Sequence, residues 1–185
     1  EGKVIPVIGA DFLIDNNEDN VGNLHQQIVD ALASAYDVKS RPESFSQLAY
    51  DKDFLYGTNY EVEAIYEKID ELLNQVVDEG QLSPNKLMMK LLKLRKFPFV
   101  ITTSFTPVVE MAMREAWPDK KVRVLQFCND PNFNRTVGKG DIESELDMNL
   151  PTVYYMFGKY SDNKSYVVTD MDMMNFCKKW ISGGS

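Results

Sequence analysis

The sequence predicts an α/β protein with a Rossmann-like, mainly parallel sheet and helices on both faces. Three observations carry that expectation. Short apolar, β-branched runs recur at residues 4–8, 99–102 and 152–157, and each closes in small or polar residues. Amphipathic stretches with apolar residues at helical spacing lie between them. Strands that alternate with helices make a parallel sheet, because a parallel pair needs a long crossover and a helix is the usual one. In such a sheet the ligand crevice lies at the carboxyl ends of the strands.

The elements follow in order. Val4-Ile5-Pro6-Val7-Ile8 reads as the first strand, bounded by Gly9. Residues 15–20 are turn-rich and read as a loop. Asn20 is a fair N-cap for a helix with Leu24, Ile28, Leu32 and Tyr36 on one face. Arg41-Pro42-Glu43-Ser44 breaks the chain before a short helix through Leu48 and Tyr50. Residues 60–79 carry the clearest stripe: Val62, Ile65, Ile69, Leu72, Leu73 and Val76, with Gly80 as the stop. Ser83-Pro84 restarts a helix in which Leu87, Leu91, Leu92 and Leu94 are expected to pack inward and Met88 and Met89 to fill the core.

Residues 99–102 form the second strand, and Pro107 opens a helix with Val108, Val109, Met111, Ala112 and Ala116 apolar. Residues 122–127 read as the third strand and 152–157 as the fourth; 128–150 read as a long polar loop. Tyr166-Val167-Val168 reads as a short fifth strand, ahead of a final helix from Asp170 to Trp180 with Thr169 and Asp170 at its cap.

Composition limits the function classes. The chain has 185 residues and a net charge of −8, which argues against a phosphate-backbone binder. The basic run from Lys86 to Lys96 reads as the solvated face of a helix. Two cysteines, Cys128 and Cys177, fit a reduced, cytoplasmic setting and cannot supply a four-cysteine zinc site. No apolar run reaches membrane-span length. The start at Glu1 and the Ser182-Gly183-Gly184-Ser185 end suggest a single domain over 1–185 that is a piece of a larger protein, truncated at its C-terminal end.

Three strand exits hold the candidate site. Gly9-Ala10-Asp11 follows the first strand, where a glycine permits a tight turn and a following helix offers free N–H groups to a phosphate. Thr102-Thr103-Ser104-Phe105-Thr106 follows the second, and Met156-Phe157-Gly158 the fourth. The first two have a plainer reading: a strand exit at Gly9, and a strand end with Thr106 capping the next helix before Pro107.

Taken together, and with the Val167-Val168-Thr169-Asp170 through Phe176 run, these segments resemble the sirtuin-like family, in its zinc-free bacterial branch. The resemblance implies an NAD-binding fold with Gly9, Ala10, Asp11, Thr102, Thr103, Ser104 and Gly158 at the cofactor. It also implies an attached effector, such as a Toll/interleukin-receptor domain, and a place in antiphage defence. Four positions depart from the family. Asp11 stands at the second glycine of a Gly-Ala-Gly turn, where a carboxylate beside a pyrophosphate costs on the order of 4 kcal/mol before relaxation. Ser104 and Thr106 replace an Asn and an Asp. Phe157 replaces the histidine that acts as general base, and phenylalanine cannot take a proton. The one histidine, His25, falls in a predicted helix far from that segment.

The expected function is therefore a catalytically degenerate nucleotide- or NAD-sensing module. The alternatives are an active NAD glycohydrolase with Asp11 as its acid, and an interaction or homo-oligomerisation module whose crevice Phe12 and Phe157 fill. Ser104 and Ser161 have no histidine partner for hydrolase chemistry. Asp141, Glu143, Glu145 and Asp147 read as solvated loop acids. Neither a nucleic-acid nor a membrane partner is expected.

Overall fold

Buried β-branched runs and amphipathic stretches sort into two compact units, one around residues 1–18 and 83–166, the other around 19–82 and 167–185. The computed structural model describes residues 4–9, 24–57, 64–78, 83–94, 97–127, 150–160 and 166–181. Among them are four strands, all parallel, and seven helices. The protein is α/β with a Rossmann-like sheet, as its strand–helix alternation predicts. No helix of the described residues is long and apolar enough to cross a membrane.

The first unit holds the sheet. Its strands are β1 (Val7–Ile8), β2 (Phe99–Thr102), β3 (Arg123–Gln126) and β4 (Thr152–Tyr155), in the order β1-β2-β4-β3. The central strands β2 and β4 have a neighbour on each side, which suits their continuous apolar sequences. Side chains alternate between the faces. Val100, Thr102, Val153 and Tyr155 lie on one face and are fully buried. On the other, Phe99 stacks on Tyr154 with ring centroids 6.5 Å apart. The first strand is shorter than its apolar run: pairing takes in only Val7 and Ile8, and Val4, Ile5 and Val7 are exposed. The fourth strand ends at Tyr155, because Met156 and Phe157 enter a turn.

Two helices accompany the sheet, α5 (Lys86–Leu94) and α6 (Val108–Ala116), and they pack on each other. The helix α5 corrects the sequence reading twice. Its cap is Asn85, whose Oδ1 accepts the Met88 N–H at 2.7 Å, and not Ser83. Met88 and Leu92 are its buried residues, whereas Leu87, Leu91 and Leu94 are 58%, 36% and 86% exposed. In α6, Val108, Val109, Ala112, Met113 and Ala116 are buried. Thr106 does not cap this helix. The capping position is Pro107, with no side-chain cap bond, and the Thr106 hydroxyl is used elsewhere.

The second unit is helical among its described residues. It contains α1 (Leu24–Ala35), α2 (Phe45–Ala49), α3 (Lys52–Gly57), α4 (Ala64–Asp78) and α7 (Asp170–Ile181). Ile28, Val29, Leu32, Leu48, Phe54, Ile65, Ile69 and Leu73 form its core. Helix α1 stops at a left-handed residue, Asp37, at φ 51°. Val38 N–H then bonds Ala33 C=O and Asp37 N–H bonds Ser34 C=O, the two closing bonds of a Schellman turn. Ser44 caps α2 through the Gln47 N–H. Helix α3 was not expected, and Asp51 starts it. The Asp51 carboxylate accepts the Ser40 hydroxyl at 2.6 Å and the N–H groups of Asp53 and Phe54. These bonds, the Ser40 one foremost, hold its carboxyl below its ordinary range.

The proposed fifth strand is absent among the described residues. Residues 167–168 lead into the cap of α7 instead. The Asp172 carboxylate accepts the N–H groups of Val168 and Thr169 and the Thr169 hydroxyl, while Asp172 N–H returns to Thr169 Oγ1. This reciprocal box makes Thr169 the cap and Asp170 the first helical residue.

Candidate functional site

Strand register brings the three predicted segments to one edge. Ile8 pairs with Thr102, Thr102 with Tyr155, and Tyr155 with Gln126, so these four residues form a single row across the carboxyl end of the sheet. One residue further on stand Gly9, Thr103, Met156 and Phe127. The bonds that fix this edge are short: Thr103 N–H to Ile8 C=O at 3.1 Å, and Met156 N–H to Thr102 C=O at 2.9 Å. Ala10 and Asp11 lie outside the described residues, as do Phe12, Cys128, Ser161 and the acids at 141–147.

The hydroxyls of the second segment form a relay within the protein. Thr102 Oγ1 donates to Ile8 C=O at 3.1 Å and accepts the Ser104 N–H at 3.1 Å. Ser104 Oγ accepts the Thr106 N–H at 3.2 Å and shares a hydrogen bond with Thr106 Oγ1 at 2.9 Å. Thr102, Ser104 and Thr106 are all buried, at 0%, 1% and 0% exposure. Their hydroxyls shape the β2 exit. Phe105, between Ser104 and Thr106, packs its ring on Tyr166, with centroids 5.1 Å apart. Gly9, Thr103, Met156 and Phe157 are only half-buried.

The two glycines of the site differ. A Cβ built on Gly9 would meet Thr103 Oγ1 at 3.7 Å, an ordinary contact, so the described residues do not themselves demand glycine there. Gly158 does have a conformational reason. Its φ is 84°, and its N–H bonds Tyr155 C=O at 3.3 Å to close the turn. We expect Gly158→Ala to cost about 1 kcal/mol from the left-handed backbone alone. A urea melt checks this, and an unchanged midpoint would show that the turn relaxes.

Next to Gly158 is a charged cluster that sequence reading missed. Glu110, in the first turn of α6, bonds Arg114 at 2.6 Å and Lys159 at 2.5 Å. The Lys159 backbone N–H donates to Gln126 Oε1 at 3.1 Å, and Tyr160 N–H donates to Phe105 C=O at 2.9 Å. Residues 158–160 are thus tied to β3, to α6 and to the β2 exit. Lys159 Nζ also lies 5.7 Å from the centroid of the Tyr155 ring. The Tyr155 hydroxyl is buried without a hydrogen-bond partner. Burial, reinforced by the Glu110 carboxylate, holds that phenol well above its ordinary value.

His25 stands on α1, in the helical unit, with its ring edge-on to Phe45 at 5.8 Å. Among the described residues of the sheet edge, nothing titrates near neutrality at position 157, which Phe157 occupies.

The fold defines the class: an α/β protein with a parallel, Rossmann-like sheet. Compared with known proteins, the chain matches no family model and no curated protein.

Proposed function

We propose that this chain is a catalytically degenerate, sirtuin-like module of a larger bacterial defence protein. It binds NAD or a related nucleotide at the strand ends and regulates an attached effector. One observation supports this reading above the others. The half-buried groups at the strand ends, Gly9, Thr103 and the Met156-Phe157 turn, are suited to contact rather than proton transfer. The Ser104 and Thr106 hydroxyls, at the positions of the family's Asn and Asp, are committed to each other.

In this reading Gly9 lets a phosphate approach the backbone and Thr103 offers a hydroxyl beside it. Phe157 supplies an apolar wall and takes no proton.

The test is calorimetric titration with NAD, with nicotinamide release assayed on the same samples. The expected result is binding without release. Gly9→Ala should weaken that binding on the order of tenfold, about 1.4 kcal/mol, while leaving the melting temperature unchanged. Release would instead favour the glycohydrolase reading, with Asp11 as acid. No binding would leave the interaction module in front.

A further inference from the structure

Helix α5 has three stripes, and only one of them serves the core. At 100° per residue, Met88 and Leu92 share the buried side. Leu87, Leu91 and Leu94 share a second side, all exposed. Lys86, Lys90 and Lys93 share a third, also exposed. All three lysines and Leu94 of the leucine stripe line a groove of ≈570 Å³ beside α6, together with Pro84, Met89 and Glu115.

Lys93 pairs with Glu115 of α6 at 2.8 Å. Lys86 and Lys90 have no ion pair among the described residues. The lysines are exposed, as a solvated basic face predicts, and the leucine row beside them is exposed as well.

Charge selects the occupant. The chain carries 28 acids against 20 bases, so this stripe inverts the sign of the protein as a whole. A second α5 would bring lysines against lysines, which is repulsive. A nucleic-acid backbone would match the lysines but leave the three leucines in water. An acidic amphipathic helix satisfies both, with carboxylates on the lysine row and apolar residues on the leucine row.

We propose that the outer face of α5 docks an acidic amphipathic helix of a partner protein in the helix-in-groove manner. This holds whether or not the strand ends bind a nucleotide.

The probe is a synthetic, fluorescein-labelled Glu/Leu amphipathic helix, with its Lys/Leu counterpart as control, titrated with the whole chain and read by anisotropy. The acidic peptide should bind saturably and the basic one should not. K86E/K90E and, separately, L87S/L91S should each weaken binding by about tenfold or more, and added salt should weaken it further. All four positions are exposed, so the melting temperatures of the variants should match the parent.

Four results would overturn the proposal. The first is no saturable binding at ~100 μM, the weak end of useful affinity. The second is binding that neither double variant alters. The third is equal competition by a DNA oligonucleotide or by anionic vesicles, which would make the stripe a general polyanion surface. The fourth is a concentration-dependent dimer in sedimentation that L87S/L91S abolishes, which would assign the face to a second copy.

Discussion

Leu92→Ala is expected to cost about 2–5 kcal/mol of stability, and Leu94→Ala, two residues on, to cost almost nothing. The two leucines share a helix and a chemistry. They differ in surroundings: Leu92 is 1% exposed and Leu94 86%. Removing a buried isobutyl group forfeits its transfer free energy and leaves a cavity, since packed neighbours relax only in part. Removing an exposed one deletes apolar surface that water already touches in both the folded and the unfolded chain, and leaves no cavity. Denaturant melts of the two variants measure the contrast directly. If Leu94→Ala proved the costlier, the phase of α5 would be wrong, and with it the docking face proposed above.

Tyr155→Phe is expected to stabilise the protein by about 1–2 kcal/mol, since a buried hydroxyl without a partner bears a desolvation penalty of that order. The ring itself keeps its packing in β4. The same substitution should alter the alkaline limb of the stability curve. Burial raises the folded-state value of Tyr155 above the ordinary 10.0. Above pH 10 the unfolded chain therefore sheds this proton while the folded chain keeps it. The unfolded state then binds fewer protons, so stability falls as pH rises from there toward the folded value. Below pH 10 both states are protonated and the contribution is constant. Tyr155→Phe removes one proton's worth of that alkaline slope. Stability curves between pH 7 and about 11 would show it. A loss of stability at pH 7 would mean that the hydroxyl accepts the Glu110 N–H in solution.

The sheet was legible in the sequence where a strand is central. Phe99, Val100 and Ile101 are apolar in a strand that has a neighbour on each edge, and the predicted and observed bounds, 99–102, coincide. The phase of α5 was not legible. Leu87, Leu91 and Leu94 recur at helical spacing as faithfully as Met88 and Leu92 do, and periodicity cannot say which stripe meets a core. Tyr166-Val167-Val168 looks like a strand by composition, yet Asp172 collects the Val168 and Thr169 N–H groups that a ladder would need. Helix α3 is six residues long, too short to show a period, and only Asp51 announces it.

The candidate site divides in the same way. Its strand exits were legible, because an apolar run that ends in small or polar residues marks where a strand leaves the sheet. The internal commitment of Ser104 to Thr106 was not, since a serine two residues before a threonine is equally consistent with exposed hydroxyls. Nor was the Glu110–Lys159 pair, whose members are 49 residues apart and join only once β4 lies in place.

That placing of β4 has a consequence for how the chain acquires its structure. The last of the four strands in sequence sits between the second and the third. Until residues 152–155 are available, β2 and β3 have nothing between them, and each presents a naked edge. The β1–β2 pairing, Ile8 with Thr102, likewise waits on a loop of some ninety residues. Contacts so distant in sequence are slow to form. A chain that has left the ribosome as far as residue 150, with β4 still to come, therefore exposes unpaired strand edges, which makes this the stage most prone to mispairing and aggregation.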